Sequence, residues 1–138
     1  MEYLKHKKYD IKEATGLSSL TLALIGDAVF ELFIRNYILE QNNELSAHKI
    51  HVKAIGYVKA ASQSKIINLI KEELSDEEFC VYKRGRNAKS HTMPKNAEVM
   101  DYRNATGFEA LLGYLYLTEQ KERLNFILQK SINVDLKV

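Results

Sequence analysis

The sequence predicts an all-α domain built around a central apolar helix. Three observations carry that expectation: apolar residues recur at helical spacing along most of the chain, helix-start signals precede several of those stretches, and no strand pair with a hairpin signal occurs. With 138 residues the chain falls within the roughly 100–200 residues of one domain, so residues 1–138 are read as a single unit with its own core.

The elements follow in order. From Leu20 to Leu39, the residues Leu20, Leu24, Phe30, Ile34 and Ile38 combine with Leu22, Ile25, Val29, Phe33 and Tyr37 to leave no wide polar stripe before Arg35. That is the pattern of a central helix packed on several sides. Asn42 and Asn43 end it, Ser46 is placed to cap a second helix, and Gly56 is expected to separate that helix from an amphipathic third one near Val58–Glu73. Ser75 followed by Asp76, Glu77 and Glu78 forms a capping box with acids at the positive end of the helix dipole, which places a fourth helix up to about Arg84. Between Gly85 and Lys95 the periodicity lapses, with Pro94 near the end, so a basic loop or broken helix end is expected. Two further helices, about Tyr102–Thr118 and Lys121–Ile132, complete the chain. No internal repeat or low-complexity tail interrupts it.

Composition narrows the class. Apolar residues make up 46% and charged residues 28%, ordinary values for a soluble domain, and no apolar run reaches the roughly 18 residues that cross a bilayer. The N-terminal MEYLKHKKYDIKEATG is basic without an apolar stretch behind it, and the single Cys80, read as a small core residue, cannot form an internal disulfide. A cytoplasmic protein without a membrane partner is expected. The net charge of +2 is unevenly spread: between Glu78 and Glu98 there is no acid, and Lys83, Arg84, Arg86, Lys89 and Lys95 give that window +5.

Two acids stand out against their surroundings, Asp27 in LTLALIGDAVFELFI and Glu109 in ATGFEALLGYLYL. Burying a lone ionised carboxylate costs several kcal/mol unless it is paired or holds a metal. Gly26 precedes Asp27, and Gly113 lies one turn after Glu109, each allowing close approach of a neighbour. Helical spacing puts Leu20, Ala23, Leu24, Asp27 and Glu31 on one face, and Ala105, Thr106, Glu109, Leu112, Gly113 and Tyr116 on another. If those faces oppose, a hard divalent cation such as Mg2+, which accepts one or two carboxylates and keeps its remaining waters, resolves the burial and creates a phosphodiesterase site. Pairing of either acid with an arginine, or a position at a crevice mouth with the head in water, is the structural alternative.

LALIGDAVFE and TGFEALLGYLYL, about eighty residues apart with KRGRNAKS at Lys83–Ser90 between them, resemble the signature helices of the ribonuclease III endonuclease domain. Within that family the chain is similar to its small bacterial branch, Mini-ribonuclease III, from about Gly16 to Leu128. The resemblance implies an all-helical nuclease domain that homodimerises and cleaves double-stranded RNA with Mg2+, Mn2+ substituting. It implies that Asp27 and Glu109 are the catalytic, metal-binding acids. It also implies maturation of large-subunit (23S) ribosomal RNA precursor ends, aided by a large-subunit ribosomal protein. Larger members carry two further acids where this chain has Ala23 and Thr106, and a double-stranded RNA-binding domain that is not expected here. Substrate contact then falls to Lys83, Arg84, Arg86, Asn87, Lys89, Ser90 and Lys95, since a duplex with a shallow minor groove is read through phosphates and 2′-hydroxyls. The competing reading is a non-catalytic helical RNA- or ribosome-binding adaptor with structural acids. His48 and His51 are expected at surface or interface positions without a ligand role, and Tyr114 and Tyr116 are expected to pack rather than stack on bases. Glu31 is expected either to support Asp27 or to pair with Arg35.

Overall fold

In a computed structural model that describes Leu4, residues 7–89 and residues 98–134, every regular element is helical. The helices are α1 (Ile11–Thr15), α2 (Ser19–Gln41), α3 (Ala47–Val58), α4 (Ala60–Ile70), α5 (Asp76–Arg86), α6 (Val99–Leu117) and α7 (Lys121–Ile132), with a 3-10 turn at Lys71–Glu73. The all-α expectation holds. Local chemistry sets the starts: the Ser46 hydroxyl accepts from the Lys49 N–H, and Ser75 and Glu78 exchange both bonds of the expected capping box. The short α1 was not expected, although Asp10 and Glu13 form the same reciprocal pair.

Gly56 does not separate two helices. It lies buried inside α3, and the break falls at Lys59, whose extended backbone (φ −63°, ψ 154°) ends α3 and starts α4. The Gly56 carbonyl accepts from the buried Ser62 hydroxyl, so the glycine sits where the next helix folds back onto α3. Cys80 is not a core residue either, because α5 turns Glu78, Val81, Tyr82 and Gly85 inward and leaves Cys80 exposed.

The central apolar helix is α6. From Asn104 to Leu115 every residue except Glu109 is buried, and α2, α4, α5 and α7 all pack against this segment's helix. Phe108 meets Phe30 of α2 edge to face, with ring centroids 5.3 Å apart. The unbroken apolar run nominated α2 for this position, yet α2 keeps one side open, with Leu20, Leu24, Leu32 and Leu39 all exposed and Leu24 at 71%. Polar ties lock the remaining helices to the centre. Tyr82 donates to the Asn104 carboxamide, which donates in turn to Ser64, joining α5, α6 and α4.

Candidate active site

The site is a consequence of how closely α2 and α6 cross. A Cβ on Gly26 would overlap the Glu109 carbonyl, and one on Gly113 would overlap the Leu22 carbonyl, so the two backbones touch where any side chain would hold them apart. Asp27 follows Gly26 directly, and its carboxyl lies within hydrogen-bonding reach of Glu109. The α6 face that carries Glu109 and Gly113 meets α2 as expected, but it meets Leu22 and Gly26; Leu20, Leu24 and Asp27 of the expected α2 face are exposed, and Asp27 approaches Glu109 from the rim of the contact. Their burial is uneven: Asp27 is exposed, at the mouth of the crevice, while Glu109 is half-buried at the edge of the core.

Burial, and then the Asp27 charge, push the Glu109 carboxyl up to about 8, against an opposing hydrogen bond from Gln63; the Glu31 charge adds a smaller push. A second buried acid shows what a structural carboxylate looks like in this fold. Glu78, 3% exposed, receives two bonds from the Arg123 guanidinium at 2.8 and 2.9 Å. Burial works to raise its pKa, but the Arg123 bonds and the Ser75 N–H outweigh burial and hold it below the usual range. Among the described residues neither Asp27 nor Glu109 has such an ion pair.

What Glu109 has instead is Gln63 of α4, only 2% exposed. Its amide nitrogen donates to the Val58 carbonyl at 2.7 Å and to Glu109 Oε2 at 3.2 Å, while its Oε1 finds no donor. A buried acceptor left in that state costs about 1–3 kcal/mol. Nothing in the sequence pattern singled out Gln63; a glutamine between two serines on the inward face of an amphipathic helix was the available signal.

A hard divalent cation fits these residues. The donors are carboxylate oxygens, and among the described residues no cationic side chain pairs with either acid. Among the described residues no group of three or more His, Cys, Asp or Glu comes together, so a cation here would have two carboxylates as its protein ligands and water for the rest. Ala23 and Thr106, each 8% exposed, add no ligand, and the Thr106 hydroxyl is committed to the Tyr102 carbonyl of its own helix. Glu31 pairs with Arg35 at 3.2 Å. His48 and His51 are both exposed on α3, and Tyr114 is fully buried with its hydroxyl bonded to Glu77.

The basic window begins in the last turn of α5, where cations also suit the negative end of the helix dipole. Lys83, Arg84, Asn87 and Lys89 are exposed and Arg86 half-exposed. Arg84 donates to the Thr15 carbonyl at 3.1 Å, and the Arg86 guanidinium lies 5.6 Å from the Tyr82 ring centre. Ser90 and Lys95, like His91, Thr92 and Pro94, lie outside the described residues. A second acid-free stretch, Leu45–Lys71, places Lys49, Lys53 and Lys65 on the exposed sides of α3 and α4 and Lys59 exposed at the break between them.

Residues 20–120 match the Ribonuclease III domain family. The chain is 50% identical over 127 residues to Mini-ribonuclease 3 of Clostridium tetani, covering 92% of this chain and 82% of that protein. It is 47% identical over 135 residues to Mini-ribonuclease 3 of a Thermoanaerobacter species, covering 97% and 94%. A crystal structure of a Fusobacterium nucleatum protein superposes with a TM-score of 0.77 at 34% identity, covering 86% of this chain and 93% of that one. The crossing of α2 and α6, the carboxylate pair it creates and these matches agree: the chain belongs to the ribonuclease III domain family, in its Mini-ribonuclease 3 branch.

Proposed function

We propose that this protein is an endoribonuclease that cleaves double-stranded RNA with Mg2+, or Mn2+ in its place, held by Asp27 and Glu109. The observation that carries the reading is the convergence of these two unpaired acids at the α2–α6 crossing, in a chain about half identical to proteins named as ribonucleases. When bound, the cation polarises the scissile phosphate and lowers the pKa of a water. The protein's own residues do the rest. Glu109 is fixed by a helix buried on every other side, so its carboxylate is a rigid ligand, and exposed Asp27 presents the other ligand toward substrate. Cation binding requires Glu109 to surrender its proton, which ties loading of the site to pH. Arg86, Lys89, Lys83, Arg84, Asn87, Ser90 and Lys95 hold the phosphate backbone.

A homodimer supplies the second site that a duplex needs, with local two-fold symmetry matching that of the RNA. The open face of α2 supports it: Leu20 and Leu24 are exposed on the same face as Asp27. Precursor 23S ribosomal RNA is the substrate that the family reading favours, with a large-subunit ribosomal protein as accessory partner. The cytoplasm is its compartment; no described helix is long and apolar enough to cross a membrane.

The test is cleavage of a duplex RNA with and without Mg2+ or Mn2+. Asp27→Asn and Glu109→Gln should each lower turnover by orders of magnitude with RNA binding largely retained. Near-normal turnover in either variant overturns the site. Tight binding by the unmodified protein without discrete products under any divalent cation would make it an adaptor.

A further inference from the structure

Gln63 does more than fill the core. Its two amide hydrogens face two acceptors that fix the orientation of the group: the Val58 carbonyl at the end of α3, 2.7 Å away, and Glu109 Oε2, 3.2 Å away. The flanking residues are pinned from both sides, Ser62 by its bond to the Gly56 carbonyl and Ser64 by the bond it accepts from Asn104. Helix α4 is thereby held in one rotation, the one that directs residue 63 at Glu109. The amide's other end, Oε1, is left without a donor. Farther along the inward face of α4 come the buried Ile66, Ile67 and Ile70, so the polar stretch Ser62–Gln63–Ser64, each residue bonded to another helix, is confined to the turn that faces Glu109.

We infer that Gln63 is a positioning residue: it holds Oε2 of Glu109 so that the remaining carboxylate oxygen faces Asp27 and the cation, and thereby sets how tightly the metal is bound. The inference rests on the reading of Asp27 and Glu109 as the metal site. Outer groups that orient ligands typically contribute 10–100-fold to metal affinity or activity.

The experiment replaces Gln63 with methionine, which keeps length and removes both bonds, and measures Mn2+ binding to the RNA-free protein by calorimetry alongside kcat and KM on duplex RNA. Gln63→Met should weaken Mn2+ binding 10–100-fold, lower kcat at fixed sub-saturating Mn2+, leave KM for RNA within about twofold, and regain kcat when Mn2+ is raised. Ile70→Val is the packing control, since it trims a buried side chain of the same helix about two turns from Gln63 and takes no part in either of its bonds; it should lower thermal stability and leave Mn2+ affinity unchanged. Unaltered Mn2+ affinity in folded Gln63→Met, or an equal loss in Ile70→Val, overturns the proposal. Glu109→Gln separates the two failures. If it abolishes Mn2+ binding while Gln63→Met does not weaken it, only the role of Gln63 falls; if Glu109→Gln also binds Mn2+ normally, the metal site falls and Gln63 with it.

Discussion

Glu109→Gln should stabilise the metal-free protein at pH 8 and leave it almost unchanged at pH 5. In the unfolded chain this carboxyl loses its proton near 4.5, whereas in the folded protein it keeps it up to about 8. Between those values the folded state binds the extra proton, so stability falls as pH rises through that window and levels off above it. The full shift corresponds to about 5 kcal/mol at 1.36 kcal/mol per pKa unit. Glu109 is only half-buried and its repelling partner Asp27 is exposed, so solvent screening reduces the expected effect to about 2 kcal/mol. Glutamine has the shape of the protonated acid, can accept from Gln63 and can donate to Asp27, so at pH 5 little changes. At pH 8 the substitution removes the repulsion, and for a chain of this length ~2 kcal/mol corresponds to a rise of about 6–10 °C in melting temperature. Thermal melts in EDTA at the two pH values read this directly. A variant less stable than the parent at pH 8, or a gain of equal size at both pH values, refutes the electrostatic account and points to a structural partner for Glu109 such as Arg123 provides for Glu78.

Three further outcomes are expected. Gly26→Ala should cost ~3 kcal/mol or more and abolish cleavage, because its methyl group would overlap the Glu109 backbone and force α2 and α6 apart; chemical denaturation checks it, and a fully stable, active variant would contradict the crossing geometry. Light scattering should give about twice the chain mass of 15.9 kDa, and Leu24→Glu, at the most exposed large apolar residue, should shift the protein to monomer; a dimer that tolerates this change is built on another face. Arg86→Ala and Lys89→Ala should each lower the slope of log affinity against log salt by roughly one unit, whereas Arg84→Ala, whose guanidinium is partly committed to the Thr15 carbonyl, should lower it less. Equal slopes in all variants would remove the window from the RNA contact.

The sequence was most readable where a residue's requirement is local. Ser75 and Glu78 satisfy one another within one turn, and the fourth helix starts where they predict. An acid in an apolar stretch drew attention to both Asp27 and Glu109, but the expected burial holds for Glu109 and not for Asp27, which the α2–α6 crossing leaves exposed. Readings that depended on which side of a helix meets a neighbour fared worse. Cys80 and the α2 leucines look alike in composition to buried residues, yet exposure is decided by which face α6 occupies. Gly56 matched the separator pattern, but its role is set by Ser62, six residues on, which no local rule anticipates. Gln63 was invisible for the same reason: its significance is a contact 46 residues away along the chain.

The same contact that creates the site also weakens the fold around it. Close crossing at Gly26 and Gly113 brings two carboxyls together, and burial with the Asp27 charge pushes the Glu109 carboxyl up to about 8. Packing elsewhere must offset that cost, and α6 is the place for it, since all residues from Asn104 to Leu115 except Glu109 are buried. If a divalent cation is held by Asp27 and Glu109 as proposed, it should relieve the repulsion and, by binding the folded state in preference to the unfolded one, raise stability by RT ln(1 + [L]/Kd) as well as enable chemistry. Stabilisation and catalytic competence are therefore expected to titrate together with Mn2+ in the parent protein. Removing one acid should uncouple them, leaving a more stable protein at pH 8 that neither binds the ion nor cuts.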